Sequence, residues 1–212
     1  MVASLRSRIY YLTPATLPPT TTELVNLVAR MLRAGVGLVQ YRAKEATTRR
    51  MLEDVEALLK LTRPAGVPLI VNDRVDVALA ACADGVHVGA EDLPANVVRR
   101  MMGPVALVGV SADTPAAARQ AEKQGASYVA CGAIFPSSVK PEKPPLGPEG
   151  LAAVRQAVNL PVCAIGGITL ENLPQLQPVR PNLLAVISAI NDAPDPETAA
   201  RELVEAAQRL WG

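Results

Sequence analysis

The stretch LIVNDRVDVALAACADGVHVGAEDLP, residues 69–94, contains two apolar runs that each end in acidic residues. The first run ends at Asn72-Asp73-Arg74, and the second is followed by Glu91-Asp92. Both runs are short and rich in Val, Ile or Leu, which is typical of strands buried on both faces of a parallel sheet. The stretch therefore predicts two successive buried strands whose polar residues begin where each strand ends.

The same kind of apolar run recurs along the whole chain. Including the two above, the runs lie at 8–13, 37–43, 68–73, 85–90, 106–112, 127–135, 161–168 and 183–190. Helical patterns lie between them, most clearly at 20–35, 47–66, 114–126 and 195–212, and most weakly at 171–180, where two prolines intrude.

Strands that alternate with helices predict parallel pairing through right-handed crossovers. Eight such units predict an α/β fold, a (β/α)8 TIM barrel, as a single domain over residues 1–212. The alternative is an open doubly wound sheet. It has less support because no Gly-x-Gly-x-x-Gly follows the first strand.

Composition narrows the classes of partner. The formal net charge of the 212 residues is +1 and aromatic residues make up 3%, so neither nucleic acid nor a membrane surface is an expected partner. The N-terminus has no apolar leader, and no apolar run reaches about 18 residues. We expect a cytoplasmic chain, with a homo-oligomer left open. Cys82, Cys131 and Cys163 lie far apart in apolar runs and are predicted to be small core residues.

Polar residues gather at the predicted strand ends. In a (β/α)8 barrel the reactive groups lie at the C-terminal ends of the strands. The residues found there are Gln40, Arg42, Lys44, Asn72, Asp73, Glu91, Asp92, Ser111, Asp113, Lys140, Gly166, Gly167 and Ser188. The sequence thus predicts one polar rim.

Two acidic residues on that rim suggest a metal ion. Neighbouring parallel strands lie about 4.8 Å apart, so Asp73 and Asp92 could reach the same ion. Two carboxylates with waters and phosphate oxygens is a common way for Mg²⁺ to bind. The alternative is that both aspartates cap helices.

The remaining rim residues are of the types that bind phosphate groups. Arg42, Lys44 and Lys140 would bring positive charge to the same mouth, which with Mg²⁺ suits a pyrophosphate, although each could also be a solvated loop residue. Gly166-Gly167 and Ser188 follow the last two strands, where many barrels bind a phosphate through backbone N–H groups, although the glycine pair could also be an ordinary turn. The lone histidine, His87, is better explained as a hydrogen-bonded core residue than as a catalytic base.

Six motifs occur in an order and spacing similar to the thiamine phosphate synthase family. They are LVQYRAK (38–44), the 69–94 stretch, VGVSADT (108–114), GAIFPSSVKP (132–141), VCAIGGI (162–168) and VISAI (186–190). The resemblance implies a barrel transferase that joins hydroxymethylpyrimidine pyrophosphate to hydroxyethylthiazole phosphate. It also implies Mg²⁺ and the release of pyrophosphate.

The resemblance also implies a role for each matching residue. Asp73 and Asp92 would hold Mg²⁺, and Arg42, Ser111 and Lys140 would act on the departing pyrophosphate. The substrate-binding set would be Gln40 and Asn72 for the pyrimidine, Arg42, Lys44 and Lys140 for pyrophosphate, Ser111 for either, Ser137 in the loop before Lys140, and Gly167, Ile187 and Ser188 for the thiazole phosphate.

The chain departs from the family in two places. Val139 stands where a threonine is frequent before the lysine, and Ser137 or Ser138 could supply the missing hydroxyl. Asp113 stands where a histidine is frequent. Related thiazole tautomerases rely on a histidine near there and tend to lose pyrophosphate ligands, so the pattern favours the synthase. The tautomerase and a non-catalytic phosphate-binding barrel stay as alternatives.

Overall fold

Eight parallel strands close into a barrel in which each strand pairs with the next and the last pairs with the first. The structure is a computed structural model that describes residues 5–14, 16–137 and 144–211. The strands are β1 (Ile9–Leu12), β2 (Leu38–Tyr41), β3 (Leu69–Asn72), β4 (Gly85–Val88), β5 (Leu107–Ser111), β6 (Tyr128–Cys131), β7 (Val162–Ile165) and β8 (Leu183–Val186). The predicted (β/α)8 barrel is confirmed.

Helices alternate with the strands around the outside. Within the described residues they are α1 (Thr21–Ala34), α2 (Thr48–Thr62), α3 (Val75–Ala80), α4 (Ala95–Met102), α5 (Pro115–Lys123), α6 (Gly147–Ala157), α7 (Ser188–Asn191) and α8 (Pro196–Trp211). The weakly predicted segment 171–180 forms only a short 3-10 turn, Leu173–Leu176, as its prolines suggested.

The helix ends follow the local sequence signals. Thr20 and Glu23 form a capping box, in which each side chain accepts a hydrogen bond from the other residue's backbone N–H. Gly35 ends α1 with a positive φ of 92°, a conformation that glycine adopts without a steric penalty. These signals fix where α1 begins and ends, and therefore where β2 starts.

Side chains from the strands fill two separate cores. Alternate residues, such as Ile9 and Tyr11 of β1, point outward and pack against the helices. Their neighbours point into the barrel and form a second cluster, Tyr10, Leu12, Leu38, Ile70, Leu107, Tyr128, Ala130, Cys163, Leu183 and Ala185. Two tyrosines therefore lie inside the barrel among aliphatic and small side chains.

Two expectations from the sequence need correction. The apolar runs overestimate the strands: the run 183–190 is strand only to Val186, and Ser188 begins the short helix α7. Cys82 is not a core residue, because it is exposed after α3 at a φ of 55°. Cys131 and Cys163 are buried as expected.

Membrane insertion has no candidate segment in the described ranges. None of their helices combines the length and the apolar character that crossing a bilayer requires.

Candidate active site

A cavity of about 690 Å³ opens at the C-terminal ends of the strands. Every predicted site residue that the structure describes lines it: Gln40, Arg42, Lys44, Asn72, Asp73, Asp92, Ser111, Ser137, Gly167, Ile187 and Ser188. Lys140, together with Ser138 and Val139, lies outside the described residues. The expectation that polar strand ends converge on one rim is confirmed for the others.

One side of the cavity, which we call the charged half, consists of Arg42, Lys44, Asp73 and Asp92. The carboxyl group of Asp73 lies close enough to that of Asp92 to interact with it. Burial, and then the nearby charge and hydrogen bond of Asp92, raise the pKa of the Asp73 carboxyl, while Lys44 opposes the shift. The charges of two neighbouring carboxylates repel each other, and a cation bound between them would relieve that repulsion.

The two aspartates do not cap the helices that follow them. Arg74 precedes α3 and Pro94 precedes α4, and neither helix has a side-chain cap. Asp92 instead accepts a hydrogen bond from the backbone N–H of Gly89, at 2.7 Å. Asp73 has a φ of 60° and donates its own N–H to the carbonyl of His87, at 2.8 Å. Asp92 is thus held through its carboxylate, and Asp73 through its backbone.

The donor set fits Mg²⁺. In the described part of the chain, no group of three or more His, Cys, Asp or Glu side chains is arranged around one point. Mg²⁺ commonly takes one or two protein carboxylates and completes its octahedron with waters and substrate phosphate oxygens. Asp73 and Asp92 provide such a pair.

The backbone of Arg42 is held in place by Thr13. The backbone N–H of Arg42 donates to Thr13 Oγ1 at 2.9 Å, and the backbone carbonyl of Arg42 accepts from the same hydroxyl at 3.1 Å. Among the described residues, neither Arg42 nor Lys44 forms an ion pair. Both positive charges are therefore available to an anion in the cavity.

The opposite side, which we call the glycine half, consists of Gly166, Gly167, Ile187 and Ser188. Gly167 has a φ of 67°, and a Cβ there would collide with the carbonyl oxygen of Pro136. Asn172 donates to the Gly167 carbonyl at 2.7 Å and so holds this turn in place. An anion on this side would meet backbone N–H groups and a hydroxyl.

Below the mouth, five buried or cavity-facing side chains form a continuous chain of hydrogen bonds, which we call the cross-barrel chain. Gln40 Nε2 donates to Tyr10 Oη at 2.6 Å, and Tyr10 Oη is 2.9 Å from Tyr128 Oη. Tyr128 Oη is 3.1 Å from His87 Nδ1, and His87 Nε2 is 3.0 Å from Ser111 Oγ. The chain joins two predicted substrate-binding residues through three residues that sequence reasoning did not assign to the site.

His87 is buried, with 8% exposure, and hydrogen-bonded through both ring nitrogens. Burial lowers the pKa of its imidazole to about 4, against a weaker opposing effect of Asp92, so the ring is neutral at pH 7. The expected hydrogen-bonded core histidine is thus observed, but it also lines the cavity.

A glycine inside β5 makes the contact between His87 and Tyr128 possible. A Cβ on Gly109 would collide with the Tyr128 ring, the Tyr128 hydroxyl and His87 Nδ1. A glycine in the middle of a strand weakens it and often marks a close approach of another group. Gly109, in the stretch VGVS (108–111), is the one sequence signal that could have pointed to the cross-barrel chain.

Comparisons with known proteins place this chain in a family. A family model described as thiamine monophosphate synthase matches residues 9–190. The chain belongs to this family. The family predicted from the sequence motifs is therefore confirmed.

Individual members of the family are similar over most of the chain. The thiamine-phosphate synthase of Roseiflexus castenholzii is 50% identical over 189 residues, which cover 88% of this chain and 83% of that protein. The thiamine-phosphate synthase of Chloroflexus aurantiacus is 46% identical over 197 residues, covering 92% and 90%. The solved thiamine phosphate pyrophosphorylase from Pyrococcus furiosus has 36% identity and a TM-score of 0.87, and the match covers 98% of both chains.

Proposed function

We propose that this protein is a transferase of the thiamine phosphate synthase type. It joins hydroxymethylpyrimidine pyrophosphate to hydroxyethylthiazole phosphate and releases pyrophosphate, with Mg²⁺ as cofactor. The observation that carries the proposal is that the charged half and the glycine half face each other across one cavity. One cavity of this kind can hold a diphosphate and a monophosphate at the same time.

The reaction needs alignment and charge stabilisation rather than a protein nucleophile. The bond between the pyrimidine CH₂ and the pyrophosphate oxygen breaks, and its electron pair leaves with the pyrophosphate. The thiazole nitrogen then donates its lone pair to the CH₂ carbon. Holding both substrates in one cavity removes the entropic cost of bringing them together during the reaction.

The charged half supports the departure of pyrophosphate. Arg42 and Lys44 offer positive charge to the leaving group, whose negative charge grows as the bond breaks. Mg²⁺ held by Asp73 and Asp92 would supply further positive charge to the same oxygens. Lys140 has the same proposed role, on the resemblance of its motif alone.

The glycine half holds the thiazole phosphate, whose charge does not change during the reaction. Backbone N–H groups near Gly167, with Ile187 and the Ser188 hydroxyl, would bind this group. Gln40 and Asn72 hold the pyrimidine between the two halves, and Ser137 lines the side next to the glycine half.

The test is a product assay with both substrates and Mg²⁺, followed by detection of thiamine phosphate and pyrophosphate. We expect both products in equal amounts, and none when either substrate is omitted or when EDTA is present. Isomerisation of the thiazole phosphate alone, in EDTA, would instead establish the tautomerase. Binding of the thiazole phosphate without any product would establish the non-catalytic barrel.

A further inference from the structure

The cross-barrel chain connects two side chains that face the cavity through three intervening residues. Its five members come from five different strands. Gln40 lies on β2 and Ser111 on β5, and both line the cavity. Between them come Tyr10 of β1, Tyr128 of β6 and His87 of β4. Tyr128 is fully buried in the barrel interior, so it influences a ligand only through its neighbours in the chain.

The number of protons fixes how such a chain can be arranged. Burial raises the pKa of the Tyr10 and Tyr128 hydroxyls, so each keeps its one proton. The neutral ring of His87 also carries one N–H. A group with a single proton and a partner on each side donates to one partner and accepts from the other. All the hydrogen bonds must therefore point the same way along the chain.

Only two directions satisfy this condition. In the first, Gln40 Nε2 donates to Tyr10, as in the structure, and the imidazole carries its proton on Nε2 and donates to Ser111. The Ser111 proton and the Gln40 Oε1 lone pairs are then free for a ligand. In the second, the Gln40 amide is rotated by 180° so that its oxygen accepts from Tyr10. The imidazole then carries its proton on Nδ1, and Ser111 donates to Nε2.

We propose that Tyr10, Tyr128 and His87 are positioning residues that hold this chain in the first direction. The cavity then presents an acceptor at Gln40 and a hydroxyl donor at Ser111, and the two are coupled. A ring with an amino group at Gln40 and an anionic oxygen near Ser111 satisfies both ends. A ring with a carbonyl oxygen in place of that amino group would reverse the whole chain, so the chain selects against it.

The identity of the ligand, an aminopyrimidine diphosphate, rests on the proposed function, whereas the direction of the chain does not. Gly109 gives independent support for a built contact. Its missing Cβ leaves the space in which Tyr128 and His87 meet. Any larger residue there would separate the two halves of the chain.

The experiment uses the fact that His87 is the only histidine. In tag-free protein labelled with ¹⁵N-histidine, one imidazole reports the direction of the chain by NMR. We expect the Nε2–H tautomer in the unmodified protein at pH 8. Once ionised, the Glu of Gln40→Glu offers only acceptors, so every bond must reverse and His87 should become Nδ1–H.

Three NMR results would overturn the proposal. They are an Nδ1–H or doubly protonated ring in the unmodified protein, an unchanged Nε2–H ring in Gln40→Glu, and the same switch in Asn72→Asp. The last variant is the matched control, because Asn72 pairs with His87 in the sheet but is outside the chain. In the double variant Gln40→Glu/Tyr128→Phe, the tautomer should equal that of Tyr128→Phe alone.

Kinetics supply a second measurement that does not depend on Gln40→Glu folding. Tyr128→Phe should lower kcat about fivefold and leave the KM for the thiazole phosphate unchanged, since one hydrogen bond of about 1 kcal/mol positions the Ser111 proton. In a Ser111→Ala background the same change should have less than a twofold effect, and additive effects would overturn the proposal. If the unmodified protein makes no thiamine phosphate, the proposed function fails, while the NMR result still decides the direction of the chain.

Discussion

The charged half and the glycine half of the mouth differ in how they can hold an anion. The charged half uses full charges on Arg42 and Lys44 and a pair of carboxylates suited to a metal. The glycine half offers backbone groups of Gly166-Gly167 and the Ser188 hydroxyl. Full charges respond strongly to a ligand whose charge grows during a reaction, whereas neutral donors suffice for one whose charge stays constant. The difference indicates that the phosphate group bound in the charged half is the one expected to leave.

The largest expected effect is on the carboxylate pair. Asp73→Asn should lower Mg²⁺-dependent kcat at least about a hundredfold, because it removes one of the two proposed metal ligands. Asparagine tolerates the positive φ of residue 73, so the backbone is preserved. Steady-state kinetics over a range of Mg²⁺ concentrations measures the effect.

The matched control is Asp76→Asn. Asp76 is also acidic and close in sequence, but it is exposed and paired with Arg74 outside the cavity. It should change kcat less than about twofold, as for other surface substitutions. Near-normal activity of Asp73→Asn would refute the assignment of a metal to the charged half.

Arg42→Ala should have the next largest effect. A charge-assisted hydrogen bond is worth about 1.5–3 kcal/mol, so kcat/KM for the pyrimidine pyrophosphate should fall about 10- to 100-fold. The KM for the thiazole phosphate should not change. Arg49→Ala is the control because Arg49 is an exposed residue of α2 that does not line the cavity. Equal losses in the two variants would mean that Arg42 acts only through overall charge.

Gly167→Ala tests the glycine half. The new Cβ would collide with Pro136 and strain a φ of 67°, so the turn should shift and the KM for the thiazole phosphate should rise about fivefold to tenfold. Gly66→Ala is a close control, because Gly66 has the same φ of 67° but no atom near its Cβ. If both variants raised the KM equally, general backbone strain rather than the site would be the cause.

The smallest expected effect is on stability without metal. Because the folded-state pKa of Asp73 is raised, its charged form is unfavourable in the fold, and Asp73→Asn should raise the Tm in EDTA at pH 7.5 by about 1–3 °C. The gain is small because the pair is partly exposed and screened. It should shrink as pH falls through the raised pKa, and thermal denaturation across pH measures it. A lower Tm in the variant would contradict repulsion between the two carboxylates.

Most of the mouth could be predicted because its residues follow strands. Apolar runs give the order of the strands, and the fold brings their C-terminal ends together, so Asp73 and Asp92 could be paired from the sequence. The exact strand ends could not, since residues after Val186 are apolar for packing α7 rather than for pairing. Apolarity alone does not distinguish the two.

The cross-barrel chain could not be predicted, for a different reason. Tyr10 and Tyr128 are 118 residues apart and lie on strands that do not pair, so no local pattern relates them. Each stands in an apolar run and looks like an ordinary core residue. The contact arises from the closure of the barrel, which brings non-neighbouring strands within reach of long side chains.

Gly109 has a consequence for how this protein can vary. In a saturation library selected for thiamine phosphate production, position 109 should accept almost nothing but glycine, although its backbone lies beneath the ligand pocket and has no side chain to offer a substrate. A saturation mutagenesis of such a barrel would then show a position that accepts few substitutions although it contributes no side chain to catalysis. Positions of that kind, when an aromatic residue on another strand packs against them, offer a way to find buried hydrogen-bond networks in related sequences.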